Sequence, residues 1–234
     1  MSKVAFIDID GTLLKGQSQQ YFIKFLFSKG FIGFFDSVYI YAWFALYKLE
    51  LVRDAAGILN FALGKFKGID SAEIAALMDE FFESELATRL YHNASSMIEA
   101  LNEKGFRTVL LSAAVEPIVS TVAAKLQAAD FICTKVEVDQ NGKYTGKLSD
   151  AHIYGNEKSR KAVQYMLDNA LESEDLLAIA DHESDKELLS IARYSFVANP
   201  KEGMRKWALE KNIPVIYLDE HEPVQYVVSH IESE

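Results

Sequence analysis

The chain has 234 residues, enough for one large domain or for a core domain carrying a sizeable insertion. Half of it is hydrophobic, which excludes global disorder, and Lys plus Arg number 24 against 34 Asp plus Glu. The formal net charge of -10 excludes non-specific nucleic-acid binding, which runs on basic patches, but leaves room for a small anion at a local cluster.

One cysteine, Cys133, allows no internal disulfide, and no Cys/His cluster has zinc spacing; a small buried apolar role is its expected one. The opening Met-Ser-Lys and the four apolar residues before Asp8 lack the form of a secretory leader, so a reducing, cytoplasmic location is expected.

In chain order, Lys3 to Ile7 reads as a short buried strand ending at Asp8. Residues 17–29 read as a helix, 36–51 as a second that is apolar nearly all round, and 53–64 as a third closed by Gly64. A fourth helix is expected from Ser71 to Leu90, with Ser71 as N-cap. Residues 21–47 hold 12 of the 28 aromatics, yet the longest uncharged stretch there, Ser37 to Tyr47, has 11 residues. That is too short to span a membrane, which needs about 20. A helical pair buried against other helices is the favoured reading, and a place on a membrane surface the lesser one, since few lysines flank the segment.

After residue 90 the rhythm changes. A helix from Asn93, its cap, to Lys104 precedes "RTVLL", a β-type run leading into Ser112. Glu116 to Gln127 reads as helical with Pro117 in its first turn, Asp130 to Cys133 as a strand, and Asn141-Gly142 as a hairpin turn. Helix, strand, helix, strand, helix and strand follow over 155–170, 175–180, 184–192, 194–197, 201–211 and 214–218, with a partly loose tail after Glu220. The alternation implies an α/β fold: a Rossmann-like parallel sheet with helices on both faces. Residues 1–14 and 89–234 would form this core, with an all-helical cap, 15–88, inserted after the first strand.

Ligands of such sheets bind beyond the carboxyl ends of the strands, and three expected strands end in Asp8, Ser112 and Asp181. Asp8 and Asp10, two apart, project to one side of an extended chain, where they repel unless a cation relieves them. Asp181 and Asp185 would add carboxylates from another strand end, a set that suits a hard divalent ion such as Mg²⁺ beside a phosphate. Ser112 with the amides of Ala113 and the following turn suits a phosphate oxygen, and Lys158 near a helix N-terminus suggests an anionic partner, with Arg160 and Lys161 as alternatives.

In order along the chain, these residues resemble the haloacid dehalogenase (HAD) superfamily of phosphohydrolases. "DIDGTLL" at 8–14 is similar to its first motif, Ser112 to the second, Lys158 to the third and "DHESD" at 181–185 to the fourth. The long insertion looks like the cap of the phosphoserine phosphatase subgroup. The resemblance implies the HAD fold and a Mg²⁺-dependent phosphatase acting on a small phosphomonoester. Asp8 would be the nucleophile that becomes an aspartyl-phosphate, and Asp10 the general acid and base. Ser112 and Lys158 would hold the phosphoryl oxygens, and Thr12 the turn and the intermediate. The Asp8 carboxylate, the Asp10 carbonyl and the Asp181 carboxylate would hold Mg²⁺, with Asp185 acting through water or on the ligands.

Three places depart from the pattern: Ser112-Ala113-Ala114 where Ser-Gly-Gly is common, Ala180 and His182 around Asp181, and Gln17 where phosphoserine phosphatases carry a glutamate that reads the substrate amine. They argue against phosphoserine itself. Arg53 in the cap is a candidate for a substrate carboxylate or phosphate, against a plain surface role. The alternatives are a lipid-phosphate phosphatase of the phosphatidylglycerophosphatase kind, a phosphotransferase of the same fold and, behind these, a non-catalytic binding protein. Monomer and homodimer both stay open.

Overall fold

The computed structural model describes residues 3–48, 55–150, 153 and 155–233. Arg53 lies outside them. The described residues form eight strands: β1 (Lys3–Ile7), β2 (Phe106–Val115), β3 (Asp130–Thr134), β4 (Val136–Val138), β5 (Tyr144–Leu148), β6 (Leu176–Ala180), β7 (Tyr194–Ala198) and β8 (Val215–Ile216). Six of them make one sheet in the order β3-β2-β1-β6-β7-β8, every pair parallel. Purely parallel sheets bury both faces, which is why β1, β2 and β6 read as continuous apolar runs.

The helices are α1 (Ser18–Ser28), α2 (Phe34–Lys48), α3 (Ala55–Leu63), α4 (Ser71–Phe81), α5 (Ala94–Glu103), α6 (Glu116–Leu126), α7 (Asn156–Asp168), α8 (Lys186–Ile191), α9 (Glu202–Glu210) and α10 (Pro223–Ser233). Alternate residues of β1 join different cores. Ala5 and Ile7 pack with Met97 and Leu101 of α5, Val119 of α6 and Val227 of α10. Val4 and Phe6 pack with Met166 of α7, Leu189 of α8 and Met204 of α9. The expected α/β sheet with helices on both faces is therefore present.

The order of strands reverses at β1. β1 leads to β2 on one side, while its other neighbour, β6, comes from late in the chain. Such a reversal leaves a crevice at the carboxyl ends of the two central strands. The register places Asp8 one residue past the Ile7–Leu110 and Ile7–Ile179 pairs, and Asp181 follows Ala180 on the adjoining strand.

The helical segment leaves and rejoins the sheet through two chain stretches that run side by side. Lys15 N donates to Arg89 O at 2.8 Å and Tyr91 N to Leu13 O at 2.9 Å. Its own core is aromatic: Phe81 lies 5.0 Å from Phe22 and 5.2 Å from Phe25, ring centre to ring centre. The β4–β5 hairpin packs on this segment. Tyr144 and Ile69 bond through their backbones, and Gly146 sits where a Cβ would be 3.0 Å from the Cα of Gly64. The turn spans Asp139 to Lys143, and the Asp139 carboxylate accepts from the Asn141 and Lys143 amides.

Several expectations are corrected. Helix α2 is not buried all round: Ile40 points inward, but Phe34, Phe35, Val38, Tyr39, Tyr41 and Leu46 are exposed. It packs against α1 and α3, and an apolar sequence alone does not reveal how many faces find partners. Asp70, not Ser71, caps α4, its carboxylate accepting from Ala72 N at 2.9 Å. After Phe81 the backbone loosens into a π-helical turn, Phe82–Leu86. Asn93 makes no capping bond; its Nδ2 donates to Leu218 O and Glu220 O. Ser112 is not at a strand end, because β2 runs on to Val115 with a register shift between Leu111 and Val115. Nor is the tail loose: α10 buries Val227 and Ile231 and sets the His230 ring edge-on to Phe196 at 5.4 Å.

The tail therefore carries stability. Ile231→Ala is expected to destabilise the protein by about 2 kcal/mol. Urea denaturation measures this, and an unchanged midpoint would restore the loose tail.

Candidate active site

Asp8 closes β1 and is buried, its backbone N–H donating to Ile179 O across the central strand pair at 3.0 Å. Lys158, the third residue of α7, is buried as well. Its Nζ lies 2.8 Å from Asp8 Oδ1 and 2.6 Å from Asp185 Oδ1. The misplaced cation expected at a helix N-terminus thus has two anionic partners. The alternatives stand outside, Lys161 paired with Asp150 and Arg160 with Glu157 on the surface.

Thr12 is fully buried below the two aspartate-bearing strands. Its hydroxyl faces Asp8 Oδ2 at 3.3 Å and Asp181 Oδ1 at 3.4 Å. Gly11 makes that approach feasible. Its φ is +91°, and a Cβ there would lie 2.1 Å from Asp181 Oδ2. No other residue type fits both the backbone angle and the space.

Asp10 is held from the helical segment. Its Oδ1 accepts the Ser18 N–H at 2.8 Å and its Oδ2 the Ser18 hydroxyl at 3.0 Å. A carboxylate at the start of α1 meets unsatisfied amides and the positive helix end. Ser112 lies at the β2 irregularity, fully buried, with its Oγ accepting from Ala114 N at 3.1 Å. The Ala113 carbonyl accepts from Thr134 Oγ1 at 2.9 Å and Gln19 Nε2 at 3.4 Å.

Two positioning residues were not singled out from the sequence. Ser18 is one. The other is Asn199, whose Nδ2 donates to the carbonyls of Thr12 at 2.9 Å and Gly11 at 3.3 Å. Its Oδ1 accepts from Leu218 N, so it ties the Asp8–Thr12 turn to the segment after β8. The signal was the "ANP" stretch closing β7 on the same sheet edge. His182 points elsewhere: it is exposed and its Nδ1 accepts from Ser184 N, capping the 3₁₀ turn Glu183–Asp185. Cys133 is buried, and burial pushes its thiol up to about 12, in keeping with an inert core residue.

The electrostatics follow from four carboxylates meeting one ammonium. Burial raises Asp8, against the pull of Lys158. Burial lifts Asp10 to about 7 despite the bonds from Ser18, and Asp181 to about 7 with the charges of Asp8 and Asp185 adding to it. For Lys158, burial alone would favour the neutral amine, but Asp8 and Asp185 outweigh it and raise the ammonium above its usual range.

The model of the haloacid dehalogenase-like hydrolases matches residues 5–190, some four-fifths of the chain. The chain belongs to that family. Among its relatives, a phosphoserine phosphatase of Mycobacterium tuberculosis is 24% identical over 214 residues, covering 90% of this chain and 69% of that protein. A Bordetella pertussis protein of unknown function superposes with a TM-score of 0.82 at 22% identity, over 93% of this chain and 99% of that one. A phospho-aspartyl intermediate analogue of phosphoserine phosphatase gives 0.63 at 14% identity, over 98% of each chain. At these identities the structures bear on the fold alone.

Hydrolases of this family use a divalent cation, and the residues fit one. With all four aspartates ionised, one Lys158 leaves the cluster three negative charges in excess. The donors are all oxygen, as hard cations require. Among the described residues, no three His, Cys, Asp or Glu side chains are gathered at metal-binding spacing. A set of two carboxylates, Asp8 and Asp181, with the Asp10 main-chain carbonyl needs no third side chain.

Two predictions follow from these charges. Asp10 and Asp181 stand near 7 in the folded protein against a usual 3.8, so the folded state holds protons that the unfolded chain releases between those values. Metal-free protein therefore loses stability as pH rises through that window. Its melting temperature is expected to be several degrees higher at pH 5 than at pH 8, with Mg²⁺ restoring part of the loss at pH 8. Lys158→Met strands Asp8 and Asp185 and is expected to cost about 3–5 kcal/mol in urea denaturation at pH 8. The cost shrinks at lower pH, where Asp8, raised by burial, can take up a proton.

Proposed function

We propose that this hydrolase is a Mg²⁺-dependent phosphatase that cleaves small phosphomonoesters through an aspartyl-phosphate on Asp8. The observation that carries this reading is the pairing of buried Asp8 with Lys158, with a second carboxylate near neutrality two residues along the chain. The Mycobacterium tuberculosis relative named as a phosphatase supports it.

In the first half-reaction an Asp8 oxygen bonds to phosphorus as the bond from phosphorus to the alcohol oxygen breaks. Asp10 gives its proton to that departing oxygen. In the second, a water passes a proton to Asp10 and attacks phosphorus. The bond to Asp8 then breaks, releasing inorganic phosphate and restoring the Asp8 carboxylate and the protonated Asp10 of the starting state. Lys158 offsets the charge of Asp8 against an anionic phosphoryl group, and Ser112 donates to a phosphoryl oxygen. Asp8 and Asp181 with the Asp10 carbonyl hold Mg²⁺, and Asp185 fixes Lys158 from the far side. Bound Mg²⁺ supplies charge neutralisation at the phosphoryl oxygens. Residues 15–88 serve as the cap, and Ser18 aims Asp10 from it. Phosphoryl transfer depends mainly on positioning and electrostatics, so this set is nearly sufficient.

Hydrolysis of p-nitrophenyl phosphate with and without Mg²⁺ is the test. Asp8→Asn is expected to reduce turnover to background, and Asp10→Asn to lower kcat by about 10²–10⁴-fold. Undiminished turnover in Asp8→Asn would remove the nucleophile from Asp8.

A further inference from the structure

Beside the cluster lies a cavity of about 540 Å³, its open mouth included. Its walls come from α1, α2 and α3 on one side, through Phe22, Ile23, Ile40 and Leu63, and from Ile118 of α6 on the other. Among the described lining residues, Gln19 is the one with a polar side chain, and none is charged.

The cavity is continuous in the chain with the site. Gln19 follows Ser18, which holds Asp10, and Gln19 itself donates to the Ala113 carbonyl beside Ser112. Val115, another lining residue, ends the irregular stretch of β2 that carries Ser112. One wall of the cavity is thus built from the residues next to the carboxylate that protonates the departing alcohol.

We infer that the cavity receives the alcohol part of the substrate, and that this alcohol is an apolar chain or ring. The inference rests on the phosphatase reading and names its substrate class. A phosphorylated amino acid would bring an ammonium and a carboxylate against described wall residues that offer neither a charged partner, and unpaired buried charge is strongly unfavourable. An alkyl chain finds apolar contact throughout and leaves only the phosphate to the polar cluster.

The experiment measures kcat/KM for ethyl, butyl and hexyl phosphate in solution, with O-phosphoserine and p-nitrophenyl phosphate alongside. A fully buried methylene is worth about fourfold, so kcat/KM is expected to rise at least tenfold from ethyl to hexyl phosphate and to exceed that for phosphoserine. A second arm offers dipalmitoyl phosphatidate in phosphatidylcholine vesicles. Cleavage there as well places the chain's source in lipid, and cleavage of the soluble esters alone places it in free alkyl phosphates; both support the apolar alcohol.

Ala62→Phe adds a ring to the cavity wall and is expected to lower the hexyl-to-ethyl ratio about tenfold. The length series of the unaltered protein stands by itself if that variant fails to fold. Asp8-dependent hydrolysis of p-nitrophenyl phosphate with no gain along the series, or with phosphoserine preferred, overturns the inference and spares the phosphatase. Failure to hydrolyse any phosphate ester overturns both.

Discussion

The Lys158 ammonium stands between Asp8 and Asp185, 2.8 Å from one and 2.6 Å from the other, with all three side chains buried. Removing three charges from water is costly, and their mutual attraction repays it only if the geometry holds. Much of the surrounding architecture serves that condition. The parallel sheet brings β1 and β6 together so that Asp8 and the Asp181–Asp185 turn share one edge. Helix α7 starts where its third residue reaches that edge, after Gly155 at a φ of +56°. Gly11 gives up its side chain to make room for Asp181.

A different constraint governs Asp10. Asp8 is placed by the sheet, but Asp10 is placed by α1, through two bonds to Ser18. The proposed nucleophile and the proposed acid–base group, two residues apart, therefore answer to different parts of the molecule. The helical segment is anchored where its two connecting stretches run side by side, at Leu13–Lys15 and Arg89–Tyr91. Asn199 fixes the intervening turn to the sheet. Any displacement of α1 against that turn is felt first at the Asp10 carboxylate.

Much of this was legible in the sequence because it rests on local patterns. The buried parallel strands announce themselves as apolar runs, and Asp8, Asp181 and Asp185 as polar residues at or just past their ends. The failures have physical reasons. Helix α2 is apolar nearly all round, and periodicity cannot say which faces a partner covers; Phe35 is 85% exposed. Ser112 sits in a strand that continues through an irregularity, and register shifts depend on the neighbouring strand. Ser18 stayed hidden because its bond to Asp10, eight residues away, depends on where α1 begins, and Asn199 because its bonds to Gly11 and Thr12 cross nearly the whole chain.

The same charges bear on the chemistry. A carboxylate attacking a phosphate monoester pushes anion onto anion, and the chain as a whole is acidic, with a formal charge of -10. Long-range attraction therefore contributes little, and the approach has to be made favourable within a few ångströms. In the proposed mechanism Lys158 supplies one positive charge there and a divalent cation the rest. As the proposed acid and base, Asp10 would face two opposite demands, giving a proton to the alcohol and taking one from water. A group near 7 does both at neutral pH with little loss in either direction, and burial brings Asp10 to that value. What burial costs the fold in repulsion, it returns as a carboxylate able to work as acid and base in one cycle.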